Sequence, residues 1–163
     1  MMRIYIASSW KNEVEVKDLA RSLRTIGHEV FDFTDPINHV EGLSGDGFVF
    51  NMDALLRELG DRTRDGMTWR ELMELEAAKR AFERDKGGID WADLVLLLLP
   101  CGRSAHLEAG YAKGKGKRLV IYGHLPRGEF ETMYHFADKC VIWDVGSFYR
   151  LIDSISELDQ EAA

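Results

Sequence analysis

The run "LVLLLL" at residues 94–99 constrains this chain more than any other feature of its sequence. Six successive apolar residues fall far short of the roughly 20 that a membrane-spanning helix takes. Nor do they alternate with polar residues, as a strand with one wet face would. A run of this length and composition fits a strand buried on both faces, the environment found inside a parallel sheet with helices on each side. Pro100 and Gly102 end it.

The flanking segments alternate as such a sheet requires. "RIYIA" (3–7) reads as a strand, the amphipathic segment 11–26 as a helix stopped at Gly27, and "HEVFDF" (28–33) as a second strand. Together they form a βαβ unit with a right-handed crossover. Helical periodicity returns over 68–86 and again over 104–114. "RLVIYG" (118–123) and "KCVIW" (139–143) add two strands, with a short helix near 129–137 between them and a last helix over 147–158. The pattern predicts an α/β fold: one doubly wound, mostly parallel five-stranded sheet of the flavodoxin or Rossmann-like kind, in the order 2-1-3-4-5, with helices on both faces. At 163 residues, one domain with its own core is expected. Between 34 and 66 periodicity fades around one plausible short helix at 52–59, and this segment reads as a substrate lid or binding loop.

A formal net charge of −7 is poorly suited to holding long nucleic acids, although a small anion remains acceptable where donors gather locally. Cys101 and Cys140 have no C-x-x-C spacing and no paired histidines, so buried free thiols are expected and neither metal nor cofactor is implied. The start "MMRIYIASS" carries no cleavable pattern, and no segment has the length of a membrane span. These features predict a soluble, cytoplasmic protein.

In doubly wound sheets ligands bind beyond the carboxyl ends of the strands where the strand order reverses, here between the first and third strands. Two loops flank that point, "ASSWKN" (7–12) and "PCGRSAHLE" (100–108), and both lead into helix N-termini with unpaired N–H groups. Ser104 and Glu108 lie four apart on one helix face, and the helix dipole would help keep Glu108 ionised. The plainer reading has Glu108 complementing that dipole at the surface. Ser8, Ser9 and Lys11 suit a phosphate or sugar hydroxyls; alternatively a serine caps the first helix and Trp10 fills the core. "RDKGGIDWAD" (84–93) reads as a turn region before the third strand. There Asp93 leads into the strand, while Asp85 and Asp90 are candidates for a second carboxylate near Glu108. "AKGKGKR" (112–118) lacks the order of a phosphate loop and fits lysines at a helix C-terminus with a glycine stop. His106 stands beside the site as a packing residue or supporting donor.

With these residues in view, the chain resembles the nucleoside 2-deoxyribosyltransferase family, which includes 2′-deoxynucleoside 5′-monophosphate N-hydrolases and nucleotide N-glycosidases. "HLEAGYAKGKGK" is similar to the family's glutamate helix and "IYIASSW" to its first strand and loop. The resemblance implies Glu108 as nucleophile, Tyr5 as the residue that orients it, and Asp85, with Asp90 as fallback, as the acid. Trp10 would lie against the substrate, and Lys11 stands where the monophosphate hydrolases carry an arginine toward the 5′-phosphate. Gly102 departs from the family's aspartate or serine at that position, which leaves Arg103, Ser104 and His106 to contact sugar and phosphate. Phe48 and Phe50 would stack the base, and Asn51 and Asp53 would read its edge. The activity so implied is cleavage of the N-glycosidic bond of (deoxy)nucleoside 5′-monophosphates through a glycosyl-glutamate. The alternatives are base exchange by a deoxyribosyltransferase and, from another class, a nucleotide-binding sensor or carrier without turnover. Family members commonly form dimers or larger homo-oligomers, in which "ETMYHF" (131–136) would meet another subunit.

Overall fold

A computed structural model describes residues 1–38, 59, 66–125 and 131–161. Five parallel strands form one sheet in the order β2-β1-β3-β4-β5. They are β1 (Arg3–Ala7), β2 (Glu29–Asp32), β3 (Leu94–Leu99), β4 (Arg118–Gly123) and β5 (Lys139–Ile142). The helices are α1 (Glu13–Thr25), α2 (Trp69–Met73), α3 (Glu76–Trp91), α4 (Arg103–Gly114) and α5 (Ser147–Glu161). Short 3-10 turns at Trp10–Asn12 and Thr132–Phe136 complete the order. No helix among the described residues is long and apolar enough to cross a membrane.

Every residue of β3 is buried, as the unbroken apolar run requires of a central strand. Its neighbours β1 and β4 are almost as apolar. Ile4, Tyr5 and Ile6 are paired with Leu94, Val95 and Leu96, and those in turn with Arg118, Leu119 and Val120. Alternate residues therefore point to opposite faces, and Tyr5, Phe31 and Val95 share one of them. The opposite faces of the crossovers follow from their right-handedness, with α1 beside β2, and α3 and α4 against β1 and β3.

Two helical expectations are revised. The periodic stretch 68–86 is two helices: Thr68 caps α2 through a reciprocal pair with Glu71, and α3 begins only at Glu76. The segment 84–93, expected as a turn, is helical through Trp91 despite Gly87 and Gly88. Packing explains the glycine at 88. A Cβ there would sit 2.9 Å from Tyr5 Cδ2 and 3.0 Å from the Phe31 ring, so glycine is what lets α3 approach the sheet.

The end of α4 conforms to expectation. Gly116 has φ +76°, its N–H bonds the Lys113 carbonyl at 3.0 Å, and the Lys117 N–H bonds the Ala112 carbonyl at 2.9 Å. Lys117 then extends its Nζ to the carbonyls of Asp90 and Ala92, both at 2.7 Å, and so ties down the C-terminal end of α3. Cys101 and Cys140 are free thiols as expected, but neither is buried: Cys101 is half-buried and Cys140 exposed. It lies on edge strand β5, which follows a crossover whose described part holds a 3-10 turn in place of a full helix.

Candidate active site

The loops after β1 and β3 meet where the sheet order reverses. Ser8 donates its hydroxyl to the Leu98 carbonyl at 2.9 Å. Asn12 joins the two loops directly, donating Nδ2 to Ser8 Oγ at 3.0 Å and to the Pro100 carbonyl at 2.7 Å. Ser9 accepts from the Lys11 N–H and caps the 3-10 turn. Trp10 does not fill the core: it is 39 % exposed and meets the Phe33 ring edge-on at 5.1 Å. Lys11 and Arg103 are exposed, and neither side chain has an ion-pair partner among the described residues. Ser104 is exposed as well, and Gly102 occupies the N-cap of α4 without a side-chain cap.

Behind these loops stands a pair of carboxylates. Tyr5, fully buried on β1, donates its hydroxyl to Glu108 Oε2 at 3.2 Å. The Tyr5 ring stacks on Phe31 at 5.3 Å with 22° between planes, so the phenol has little freedom to turn away. Burial pushes the Glu108 carboxyl up to about 7, helped by the negative charge of Asp85 and opposed by the Tyr5 hydrogen bond. Burial likewise lifts Asp85 to about 6, opposed by the Arg84 guanidinium. The Tyr5 hydroxyl is pushed well above its ordinary range by burial and then by the charges of Asp85 and Glu108, so it stays a donor.

This corrects the expected electrostatics of Glu108. It lies in the second turn of α4, where the dipole fades, and loss of water outweighs what dipole remains. The alternative in which Glu108 sits at the surface is also not what the structure shows, since the side chain is largely buried against Tyr5.

Asp90 and Asp93 are spent elsewhere. Asp90 pairs with Lys86 at 2.7 Å and accepts from Tyr111 Oη at 2.8 Å. Asp93 holds Arg3 through three hydrogen bonds at the opposite, amino end of the sheet. Of the three aspartates in 84–93, only Asp85 interacts with Glu108 and Tyr5. Phe48, Phe50, Asn51 and Asp53, together with most of the expected lid and the helix at 52–59, lie outside the described residues.

His106 faces away from the pair. Its Nδ1 lies 2.8 Å from the Gly102 carbonyl, which makes that nitrogen the donor, and Nε2 lies 3.0 Å from Tyr134 Oη. The two rings stack at 5.8 Å. Together they wall a cavity of about 850 Å³ between α4 and the turn Thr132–Phe136. Neither carboxylate nor Tyr5 lines that cavity. No group of three or more His, Cys, Asp or Glu among the described residues is placed to hold a metal.

Three contributors escape a reading of the sequence: Asn12, which joins the loops; Gly88, which admits α3; and Arg84, whose guanidinium clasps the chain after β2. Only Gly88 leaves a trace in the sequence, as a glycine inside an otherwise helical stretch, and it reads there as a turn.

Comparison with known proteins agrees with this architecture. The chain shares its fold with a 2-deoxyribosyltransferase from the psychrotolerant bacterium Bacillus psychrosaccharolyticus, at TM-score 0.51 and 19 % identity over 86 % of this chain and 85 % of that one. It also shares it with the Clostridium botulinum CMP N-glycosidase BcmB, at TM-score 0.51 and 14 % identity over 93 % of this chain and 97 % of the other. No protein-family profile matches the chain, and no curated protein matches it in sequence.

Proposed function

We infer that this protein is a member of the nucleoside 2-deoxyribosyltransferase family and an N-glycosidase of (deoxy)nucleoside 5′-monophosphates, the whole chain serving as one catalytic domain. The observation that carries this reading is the half-buried carboxylate pair, Glu108 held by Tyr5 and acted on by Asp85, at the crevice where such sheets bind ligands. The fold shared with a deoxyribosyltransferase and a CMP N-glycosidase supports it.

In this reading a Glu108 oxygen attacks the anomeric carbon as the bond to the base nitrogen breaks. The bond electrons leave with the base, and Asp85 supplies the proton that neutralises it. Positive charge develops on the sugar beside an anionic carboxylate that is partly desolvated, where attraction is stronger than in water. Water, activated by the now ionised Asp85, then attacks the same carbon and frees Glu108, with net retention. Lys11 and Arg103, both unpaired among the described residues, are available to the 5′-phosphate.

The working state therefore carries one proton on the pair, located on Asp85. In the free protein burial raises both carboxyls, Glu108 to about 7 and Asp85 to about 6, so the proton rests at least as readily on Glu108. A cationic sugar beside Glu108 and the Tyr5 hydrogen bond both favour moving that proton to Asp85. The reading also carries a cytoplasmic homo-oligomer, with exposed Leu107, Met133 and Phe136 suited to a subunit contact.

The test is chromatographic detection of free base from a panel of ribo- and deoxyribonucleotides and nucleosides, with and without an added acceptor base. Release from monophosphates that disappears in Glu108→Ala is the expected result. Exchange only in the presence of an acceptor would make the protein a transferase. Binding without release from any member would make it a sensor and overturn the catalytic reading.

A further inference from the structure

The residue that precedes the proposed acid makes contacts which a surface arginine would not. Arg84 on α3 donates Nη1 to the Phe33 carbonyl at 2.9 Å and Nη2 to the Asp35 carbonyl at 2.5 Å. Its guanidinium also lies over the Phe31 ring, 5.3 Å from the centroid. Phe31 is the ring that stacks on Tyr5, and Tyr5 is the donor to Glu108. One side chain thus touches both the backbone after β2 and the aromatic stack that supports the nucleophile.

The segment it grips is itself rigidly tied. Asp32 accepts from the Thr34 N–H and hydroxyl, at 2.8 and 2.7 Å. Asn38, fully buried with φ +37°, exchanges hydrogen bonds with the Asp32 backbone at 2.8 Å and donates to the Asp35 carbonyl at 3.0 Å. From the other face of the sheet Arg24 donates to the Val30 carbonyl at 2.7 Å and stands 3.8 Å from the Asp35 carboxylate. Arg84 is therefore anchored to a fixed point, and α3 with it.

We propose that Arg84 is a positioning residue of the site: by clasping the Phe33 and Asp35 carbonyls across Phe31, it fixes where Asp85 stands relative to Glu108 and places a permanent positive charge beside the acid. The proposal rests on the glycosidase reading for its catalytic consequence, but its geometric and electrostatic content does not. Among the described residues burial and Arg84 on α3 are what act on the Asp85 carboxyl, and Asp85 in turn acts on Tyr5 of β1 and Glu108 of α4. Arg84 is the single cation of that set. Because its donors are engaged by backbone carbonyls, it does not act by holding substrate.

Carboxyl ¹³C NMR titration of wild type, Arg84→Met and Arg84→Lys tests this without needing turnover. Loss of the cation in Arg84→Met is expected to raise the Asp85 midpoint by roughly half a pH unit or more. Arg84→Lys, which keeps the charge without the two-pronged clasp, keeps the midpoint close to wild type. With an active substrate, the alkaline limb of the rate profile moves up in Arg84→Met, since the singly protonated pair persists to higher pH. Both variants lose kcat with KM little changed. An unmoved Asp85 midpoint in a folded Arg84→Met would overturn the proposal, as would a shift of equal size in Arg84→Lys. Should Arg84→Met fail to fold, Arg84→Gln carries the same comparison. A shifted midpoint in a protein that releases no base would leave this inference standing and remove the glycosidase reading alone.

Discussion

Ionising Glu108 costs more in the folded chain than in the unfolded one, because water is lost and Asp85 is near. The sign of its effect on stability follows. Its folded value of about 7 lies above its ordinary value of 4.5, so the folded state binds the proton more tightly, and stability falls as pH rises through that interval. At pH 8 the buried charge is carried in full, at a cost on the order of 1–3 kcal/mol. Glu108→Gln removes the charge and keeps an oxygen for the Tyr5 hydroxyl to donate to. It is therefore expected to melt at a higher temperature than wild type at pH 8, with the difference shrinking toward pH 4.5; calorimetry at the two pH values checks this. The sequence marks Glu108 through the small residues around it, Ala109, Gly110 and Ala112. It does not reveal the sign of the shift, which depends on how much water Tyr5 and Asp85 displace.

Helix α3 places the second carboxylate, and its course was the least legible part of the fold. Gly87 and Gly88 read locally as a break, yet tertiary packing overrides their low helix propensity: the helix lies so close to the sheet that a Cβ at 88 would stand about 3 Å from two aromatic rings, and only glycine fits at the contact. The strands were legible for the opposite reason. Burial on both faces leaves a continuous apolar run in β3, and no arrangement of surface residues imitates it. Gly88→Ala tests the contact. The added methyl must displace Tyr5 or Phe31, or lift α3, and a loss of about 1–3 kcal/mol in urea unfolding is expected, as for overpacked cores. Because Asp85 rides on the same helix, base release is expected to fall further than the residual folded fraction explains. A variant as stable and as active as wild type would show that the helix has room to spare.

At the scale of the molecule, reversal of strand order between β1 and β3 gathers groups that are far apart in sequence: Tyr5, Asp85 and Glu108 come from β1, α3 and α4. Topology was readable because each crossover has one permitted hand. Partners within the site were not, because Asp85, Asp90 and Asp93 look alike in sequence and only their distinct neighbours separate them. The overall charge of −7 bears on the proposed nucleotide substrate: an anion would have to be drawn in by local cations, for which Lys11 and Arg103 are the candidates, against the field of the whole chain. Under the proposed function Glu108 forms a bond to the sugar. Rapid acid quenching during turnover of a nucleoside 5′-monophosphate that releases base, followed by mass spectrometry of the protein and its peptides, addresses it directly. A mass increase equal to the sugar phosphate is expected on the peptide containing Glu108 and is absent in Glu108→Gln. Steady base release with no adduct at any quench time, or an adduct on another residue, would contradict it.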